Sequence, residues 1–366
     1  MKTRNYFYAI LCGLAITTGF TSCSDDDNGW NWEDLGSKIE MTKERAFVLN
    51  EGSYQMNNAH LGLFDWNTGK VQKGDIYKIQ NGQQLGDTGQ DIIEYDDNIF
   101  ISIYGSNYIT KLNGVGKELG RVSFTEKPEL GAVRFMTAEN GFIYVTSYGG
   151  YVTKINANTL EIISSVKVGN NPEQIIETDG KIYCVNSGWG YDNRLSIIDE
   201  RTFTLIENVE IFANPQAIIE SDGHIIIQGY GGDFGNYTYP VAIYDPNNKT
   251  YKEIGKGTNI AAEDGMLYVV NTTTDYSTTP YEGTTEVWSY NLNTGKKTEN
   301  ALQLPEELKK SCTYGININE ENNHIYIMKT NYTWGNGEIY HFDNNGKFID
   351  KFSSEGQGPK KIVFLD

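Results

Sequence analysis

The sequence predicts an all-β protein, a seven-bladed β-propeller in which the C-terminal strand closes the first blade. Three observations predict this fold. A unit of short strands recurs along the chain, its spacing is that of a four-stranded blade, and the two chain ends carry complementary parts of one unit. No segment has a sustained helical period, which disfavours an α/β fold.

The recurring unit begins with an apolar strand, an acidic turn and a second apolar strand. In one copy, Ile175–Val185, the turn is formed by Asp179 and the glycine after it, and the turns of the next two copies lie at Asp222 and Asp264. Asp and Gly tolerate positive φ and therefore suit tight hairpins. These turns recur at about 40 to 45 residues, which is the period of a propeller blade.

The two ends of the chain predict how the ring of blades closes. The last residues, Pro359–Asp366, match the first strand of a unit with nothing after it. Residues Ala46–Asn50 match a second strand with nothing before it. We therefore expect the C-terminal strand to complete the N-terminal blade, because pairing leaves no sheet edge open. The propeller is expected to occupy residues 45–366.

The start of the chain predicts export and lipidation. Residues 1–22 combine Lys2 and Arg4 with an apolar run, and a small residue precedes Cys23. This pattern is typical of a lipoprotein signal peptide whose removal leaves Cys23 as the acylated N-terminus. Residues 23–44 are then the lipidated start and an acidic linker. The run Asp25–Asp27 resembles the signal that sends lipoproteins of Bacteroidota to the outer face of the outer membrane; a solvated linker is the alternative.

Charge narrows the choice of partners. The chain of 366 residues has a formal net charge of −18, so it repels nucleic acid and anionic membrane surfaces. We expect no nucleic-acid partner, and contact with the membrane only through the lipid anchor. Cys12 lies within the predicted signal peptide, and the two cysteines that remain in the mature chain besides Cys23, Cys184 and Cys312, suggest neither a disulfide framework nor a metal cluster.

The loops between second and third strands are the most distinctive part of the sequence. In a propeller they lie on one face together with the connections between blades, and here they are long and aromatic in every predicted blade. Tyr and Trp offer large, stiff contact surfaces with polar tips. We predict a ligand-binding face; the alternative is that these loops only pack on one another. The aromatic residues assigned to this face are Tyr54, Tyr104, Tyr108, Tyr148, Tyr151, Trp189, Tyr191, Tyr230, Phe234, Tyr237, Tyr239, Tyr276, Tyr281, Tyr332 and Trp334.

A ring of polar residues is predicted at the mouth of the central channel. At the start of the inner strands the aligned positions read Gln90, Val133, Glu173, Gln216, Thr258, Tyr314 and Lys360, with Arg134 and Gln174 one step on. The residues assigned to ligand binding are Gln90, Arg134, Gln174, Gln216 and Tyr314. A hydrated channel mouth without a ligand is an equally open interpretation.

The sequence does not predict catalysis. Of the four histidines only His60 falls on the aromatic face, and no pair of titratable residues repeats as a metal site. We expect no catalytic residues, no metal and no intrinsic cofactor. Loop aspartates are in principle cation ligands, although such residues usually cap turns. They are Asp87, Asp192, Asp233 and Asp275.

Two features resemble a known family. Asn171–Glu173, Asn214–Gln216 and Gly358–Lys360 look like the inner-strand starts of YncE-like propellers, and Phe47–Asp65 resembles the opening of Bacteroidota surface lipoproteins of that group. The resemblance covers the whole mature chain. It implies capture of a corrinoid such as cobalamin (vitamin B12) as a bound ligand, and delivery to a TonB-dependent outer-membrane transporter.

The residues themselves leave other ligands open. Sugars also stack on Tyr and Trp, so a glycan-binding surface lipoprotein is one alternative. A propeller that binds another protein, without any small ligand, is a second. The same aromatic side chains serve all three functions, and no residue motif in this sequence separates them.

Overall fold

The computed structural model describes residues 35–232 and 235–365, which form seven four-stranded antiparallel sheets. Each sheet is one blade, and the prediction of an all-β seven-bladed propeller is confirmed. The predicted signal peptide, Cys23, Asp25–Asp27 and Phe234 lie outside the described residues.

Twenty-eight strands build the blades. Blades 1 to 3 contain β1 (Arg45–Asn50), β2 (His60–Asp65), β3 (Val71–Gln72), β4 (Gly89–Tyr95), β5 (Asn98–Ile103), β6 (Tyr108–Asn113), β7 (Glu118–Ser123), β8 (Val133–Glu139), β9 (Phe142–Ser147), β10 (Tyr151–Asn156) and β11 (Ile162–Lys167). Blades 4 and 5 contain β12 (Pro172–Thr178), β13 (Lys181–Asn186), β14 (Arg194–Asp199), β15 (Thr204–Glu210), β16 (Pro215–Ser221), β17 (His224–Gly229), β18 (Pro240–Asp245) and β19 (Thr250–Lys256). Blades 6 and 7 contain β20 (Asn259–Glu263), β21 (Met266–Asp275), β22 (Glu282–Asn291), β23 (Lys297–Thr298), β24 (Thr313–Ile318), β25 (Ile325–Lys329), β26 (Glu338–Phe342) and β27 (Phe348–Ser353), and β28 (Pro359–Leu365) returns to blade 1.

The ring closes through blade 1, as predicted. Strand β28 pairs antiparallel with β1, with Ala46 opposite Phe364 and Val48 opposite Ile362. The indole N–H of Trp66 donates to the carbonyl of Leu365 at 3.0 Å. Strand β28 thus takes the inner position of blade 1, and the inner strands of adjacent blades pack against one another around the central channel.

The hairpins after the first strands follow from their sequence. At Asp179, Asp222 and Asp264 the φ angles are 51°, 51° and 48°, and the glycine that follows each has positive φ as well. Two consecutive residues with positive φ form the turn that matches the twist of two antiparallel strands. The chain thus reverses within two residues, and the face that carries these hairpins stays short and polar.

Hydrophobic clusters between adjacent blades form the core. Buried side chains such as Phe100 of blade 2 pack with Val133 and Met136 of blade 3. Blades 1 and 6 have outer strands of only two residues, and short helices pack there instead. These helices are α1 (Ile76–Asn81) and α2 (Glu306–Lys309). Within the described ranges the longest helix has six residues, and none has the length and apolarity needed to cross a bilayer.

The segment before β1 packs on the propeller. Of the predicted linker, residues 23–44, the structure describes the part from Leu35 onward. Ile39 and Met41 pack against the core of blades 1 and 2. The side-chain amide of Asn113 donates to the carbonyl of Leu35 at 3.3 Å. Asn113 ends a third strand, so this segment lies at the face of the short hairpins.

Candidate ligand-binding face

The loops between second and third strands bring tyrosines and tryptophans from all seven blades to one face, which we call the aromatic face. Several rings there are open to solvent, most of all Tyr191 with 88% and Tyr276 with 68% of their surface exposed. Tyr54, Trp189 and Trp334 are also exposed. Exposed apolar side chains concentrated on one face mark an interaction site, whereas isolated ones need no explanation.

One aromatic cluster joins blades 2, 3 and 4. The ring of Tyr148 lies 5.7 Å from that of Tyr104 and 5.7 Å from that of Trp189, both in edge-on geometry. Edge-to-face contacts of this kind are favourable for aromatic pairs and fix the rings relative to one another. The cluster therefore offers a preformed surface that spans three blades.

An ion pair supports this cluster from below. The guanidinium carbon of Arg134 lies 4.5 Å from the centre of the Tyr148 ring, and Arg134 Nη2 donates to Glu173 Oε2 at 2.6 Å. Glu173 Oε1 accepts hydrogen bonds from the hydroxyls of Tyr148 at 2.8 Å and Ser187 at 3.2 Å. Burial, and next the charge of Glu173, raise the pKa of Tyr148. Its hydroxyl is therefore a donor at every physiological pH.

A second cluster belongs to the long loop of blade 5. The ring of Tyr230 lies 5.1 Å from that of Tyr237 and 5.9 Å from that of Tyr239. Tyr230 also lines the central channel, and burial raises its pKa to about 12. This cluster therefore connects the aromatic face with the channel mouth.

The third cluster joins blades 6 and 7. Tyr281 contacts Tyr276, Tyr332 and Trp334, with ring centres 5.0, 5.0 and 4.7 Å apart. Strands β21 and β22 are ten residues each, whereas other strands have at most seven. Their longer hairpin carries Tyr276 and Tyr281 next to the loop of blade 7.

Two of the assigned aromatic residues belong to the blades rather than to these clusters. Tyr108 is buried as the first residue of β6, where its hydroxyl donates to the carbonyl of Leu85 and Arg121 covers its ring. Burial raises the pKa of Tyr108 to about 12. Tyr151 is the first residue of β10 and packs against the core between blades 2 and 3.

The central channel opens onto the aromatic face and encloses a cavity of about 560 Å³ lined by the inner strands. The predicted alignment of Val133 with the polar ring is wrong by one residue. Val133 is opposite Ser147, as Pro172 is opposite Asn186, and in both strands the register shifts after this pair. Arg134 therefore takes the position of Glu173, and Val133 is buried in the core.

With this correction, each blade contributes one residue to the channel mouth, and we call this set the mouth ring. Its members are Gln90, Arg134, Glu173, Gln216, Thr258, Tyr314 and Lys360. Arg134 Nη1 donates to Oε1 of Gln90, and the side-chain amide of Gln216 donates to Asn214 at 2.7 Å. Gln174 lies one step deeper and accepts the backbone N–H of Ile218 at 3.3 Å.

Three charged residues near the mouth were not assigned from the sequence. Glu51 accepts a hydrogen bond from the hydroxyl of Tyr314, whose pKa is raised by burial and then by this carboxylate. Deeper in the channel, Lys361 Nζ lies 2.8 Å from Asp91 Oδ1. Glu51 directly follows a second strand, and this position in the sequence could have identified it as a residue of the aromatic face. Lys361 and Asp91 lie far apart in sequence, and only ring closure brings them together.

The described loop aspartates accept hydrogen bonds from nearby loops or pair with a neighbouring side chain. Asp87 accepts the backbone N–H of Gln55 at 3.0 Å, Asp192 pairs with Arg194, and Asp275 bonds within its own loop. Asp233 lies outside the described residues. In the part of the chain that the structure describes, no group of three or more His, Cys, Asp or Glu side chains is placed to hold a metal ion.

No family model and no curated protein sequence matches this chain. Several solved structures have a similar fold at low sequence identity. A quinonprotein alcohol dehydrogenase-like protein from Bacteroides thetaiotaomicron has a TM-score of 0.63 and 14% identity, over 88% of this chain and 78% of that one. Hydrazine synthase from Kuenenia stuttgartiensis has a TM-score of 0.57 and 17% identity, over 75% of this chain and 79% of that one. Apo AztD from Citrobacter koseri has a TM-score of 0.53 and 10% identity, over 89% of this chain and 98% of that one. These likenesses show the fold alone, which is the propeller that the seven sheets form.

Proposed function

We propose that this protein is a surface lipoprotein that captures a corrinoid such as cobalamin on its aromatic face and passes it to a TonB-dependent outer-membrane transporter. One observation carries the proposal: rings from all seven blades surround a polar channel mouth on a single face. The class of ligand comes from the resemblance of the opening segment to the corrinoid-binding surface lipoprotein BtuG.

The chemistry of the face suits such a ligand. A corrinoid is a large, rather flat macrocycle fringed by amide groups. Its apolar surface would be buried among the tyrosine and tryptophan rings, and its amides would bond to polar groups of the mouth ring. Because Glu173 and Arg134 already hold Tyr148 in place, binding would order few additional side chains.

The way the chain enters the propeller supports an open aromatic face. The described start of the chain, from Leu35 to β1, lies at the face of the short hairpins. A lipid at Cys23, followed by Asp25–Asp27, would tether the protein to the outer membrane from that segment. The aromatic face would then stay clear of the described part of the chain's own start.

We propose a binding protein rather than an enzyme. The charged side chains near the aromatic face are engaged with one another, as in the pair of Arg134 and Glu173, or cap turns, as does Asp192. Such groups position and hold a ligand. Cobalamin would be a bound ligand and not a resident cofactor.

The experiment uses the colour of the ligand. The mature protein without its lipid is mixed with cobalamin at micromolar concentration and separated by gel filtration, while protein and visible absorbance are followed together. Co-elution of the red ligand with the protein is the expected result. Elution of all the colour with the free ligand would contradict corrinoid binding.

A glycan is the second candidate ligand. The exposed tryptophans Trp189 and Trp334 lie on different clusters of the face, and sugars bind to such rings through their apolar faces. A glycan array separates the two candidates. Binding to sugars with no effect on the elution of cobalamin would favour this second function.

A further inference from the structure

The channel mouth contains a hydrogen-bond donor that has no acceptor. Gln90 is buried, and its Oε1 accepts a hydrogen bond from Arg134, which assigns the amide orientation. Its Nε2 is buried as well and has no partner among the described residues. A buried polar group without a partner is costly, so such a group in a cavity wall indicates where a ligand atom binds.

A poorly satisfied cation occupies the same position of the neighbouring blade. Lys360 is the mouth-ring residue of blade 1, as Gln90 is of blade 2. Its ammonium is 3.5 Å from Glu51 Oε1, and the described residues offer it no nearer carboxylate oxygen. The Lys360 side chain is 20% exposed, and its burial lowers its pKa. An ammonium in this setting gains from any additional acceptor.

The acceptors around the mouth are engaged, in contrast. Glu173 accepts hydrogen bonds from Arg134, Tyr148 and Ser187. Asp91 is bound by Lys361 and by the backbone N–H of Met136 at 2.9 Å. Glu51, the third carboxylate at the mouth, accepts a hydrogen bond from Tyr314 and lies beside Lys360. A cation entering the mouth would therefore find each of these three carboxylates already bonded, whereas an anionic oxygen would find the unpartnered Nε2 of Gln90 and the weakly paired ammonium of Lys360.

The charge of the mouth permits an anion, although the chain as a whole has a net charge of −18. The charged side chains around it balance one another: Arg134, Lys360 and Lys361 against Glu51, Asp91 and Glu173. These six side chains are thus neutral as a set, and Glu220, which also lines the channel, lies four residues further along β16 than the mouth-ring residue Gln216. A single negative charge placed between the cations would not face a net negative field there.

We propose that the channel mouth binds an oxyanion, a phosphate or carboxylate group, between Lys360 and Gln90. If the oxyanion is part of the ligand on the aromatic face, the inference rests on the proposed function. Cobalamin carries one such group, the phosphodiester of its nucleotide loop. A free anion in the channel is the other source.

The experiment compares two corrinoids. Cobinamide lacks the nucleotide loop and its phosphodiester, whereas cobalamin has both. We expect the wild-type protein to bind cobalamin about tenfold more tightly or better, because a hydrogen bond to a charged group is lost with cobinamide. Lys360→Met should remove this preference, because it should weaken the binding of cobalamin about tenfold more than the binding of cobinamide.

Two further variants keep the test interpretable. Gln90→Glu preserves the shape and the acceptor for Arg134 but replaces the free donor with a carboxylate, so it should also remove the preference. Lys181→Met removes an exposed lysine from a hairpin of the opposite face and should change nothing. Melting temperatures of all variants show that the propeller is intact.

A titration with inorganic phosphate, monitored by phosphorus NMR, tests whether a free anion binds at the mouth. Its result does not depend on whether a corrinoid binds. If neither corrinoid binds, the proposed function fails, and phosphate binding that disappears in Lys360→Met still supports the oxyanion site. The inference is overturned if the preference for cobalamin is absent or survives in both mouth variants, and phosphate binding is absent or unaffected by them.

Discussion

The hydroxyl of Tyr148 donates to Glu173 at 2.8 Å, and this hydrogen bond links a ring of the aromatic face to a buried carboxylate of the channel mouth. The same carboxylate binds Arg134, whose guanidinium lies under the Tyr148 ring. The aromatic face and the mouth ring are therefore one connected structure. A change at Glu173 should affect both.

Glu173→Gln tests this connection. The substitution removes the negative charge and leaves the guanidinium of Arg134 without its ion pair, while Gln keeps one acceptor for Tyr148 or Ser187. Because breaking a buried pair strands a charge, we expect unfolding free energy to fall by about 3 kcal/mol. We also expect weaker cobalamin binding, since Arg134 and Tyr148 lose their fixed positions.

Chemical denaturation and a ligand titration measure the two effects. Glu210→Gln is the matched control, because Glu210 is exposed at the end of β15 and should tolerate the same change. Equal stability and equal affinity in Glu173→Gln and the wild type would show that the carboxylate does not organise the site.

Trp189 holds a strained backbone conformation. Its φ and ψ are 53° and 40°, in the left-handed region that bulky side chains rarely adopt. Asn tolerates this region better, so Trp189→Asn should relieve strain and raise stability by about 1 kcal/mol. The same substitution removes an exposed ring from the aromatic face and should weaken ligand binding.

Trp189→Asn is informative because stability is expected to rise while affinity for the ligand falls. A ring retained for packing alone predicts a less stable variant, whereas a ring retained for binding predicts a more stable variant with lower affinity. Thermal unfolding without ligand, followed by titration with cobalamin, gives both values. A fall in melting temperature would assign Trp189 a structural role through its contact with Tyr148.

The sequence predicted the fold better than the details of the site, for physical reasons. Closure was predictable because Pro359–Asp366 has the pattern of an inner strand without a partner. The register of Arg134 was not, because the ladder shifts between Val133 and Met136 and spacing alone does not reveal a bulge. Tyr108 follows the same aromatic loop as Tyr104, yet it starts a strand and points into the blade.

Contacts between distant parts of the chain could not be predicted from the sequence either. Glu51 and Tyr314 are separated by 263 positions and meet only because blade 1 follows blade 7 in the closed ring. The local pattern identified the aromatic loops as a binding face. It did not reveal that their rings form three clusters, because packing between neighbouring loops depends on the geometry of the blades.

The rim itself is tested by a double substitution. Tyr230→Ala combined with Trp334→Ala removes one ring from each of two clusters, and both rings are partly exposed. We expect at least tenfold weaker cobalamin binding, because truncating an aromatic residue that anchors a ligand costs about 1 to 2 kcal/mol. Folding should be intact, since neither ring belongs to a blade core.

Tyr251→Ala provides the matched control for this double variant. Tyr251 and Tyr230 each have 39% of their surface exposed, but Tyr251 lies on the outer strand β19, away from the loops. Its removal should leave affinity unchanged. If the double variant binds cobalamin as well as the wild type does, the ligand site lies elsewhere on the molecule.

A pair of histidines in blade 7 predicts a pH dependence of stability. His324 Nδ1 is 2.8 Å from His341 Nε2, and His341 Nδ1 is 3.1 Å from Asp350. Burial lowers the pKa of both histidines below the ordinary value of 6.5. The attraction of Asp350 and Asp343 opposes this effect without reversing it.

The sign of the effect follows from proton binding. Between the lowered pKa of the folded state and 6.5, the unfolded chain binds more protons, so stability is lost as pH falls below 6.5. Each histidine contributes at most about 1.4 kcal/mol per pH unit in this range. The substitution His324→Gln should therefore make the unfolding free energy fall less steeply between pH 7 and pH 5 than it does in the wild type. His224→Gln, in a hairpin of blade 5, serves as the control, and equal slopes for wild type and His324→Gln would refute the assignment.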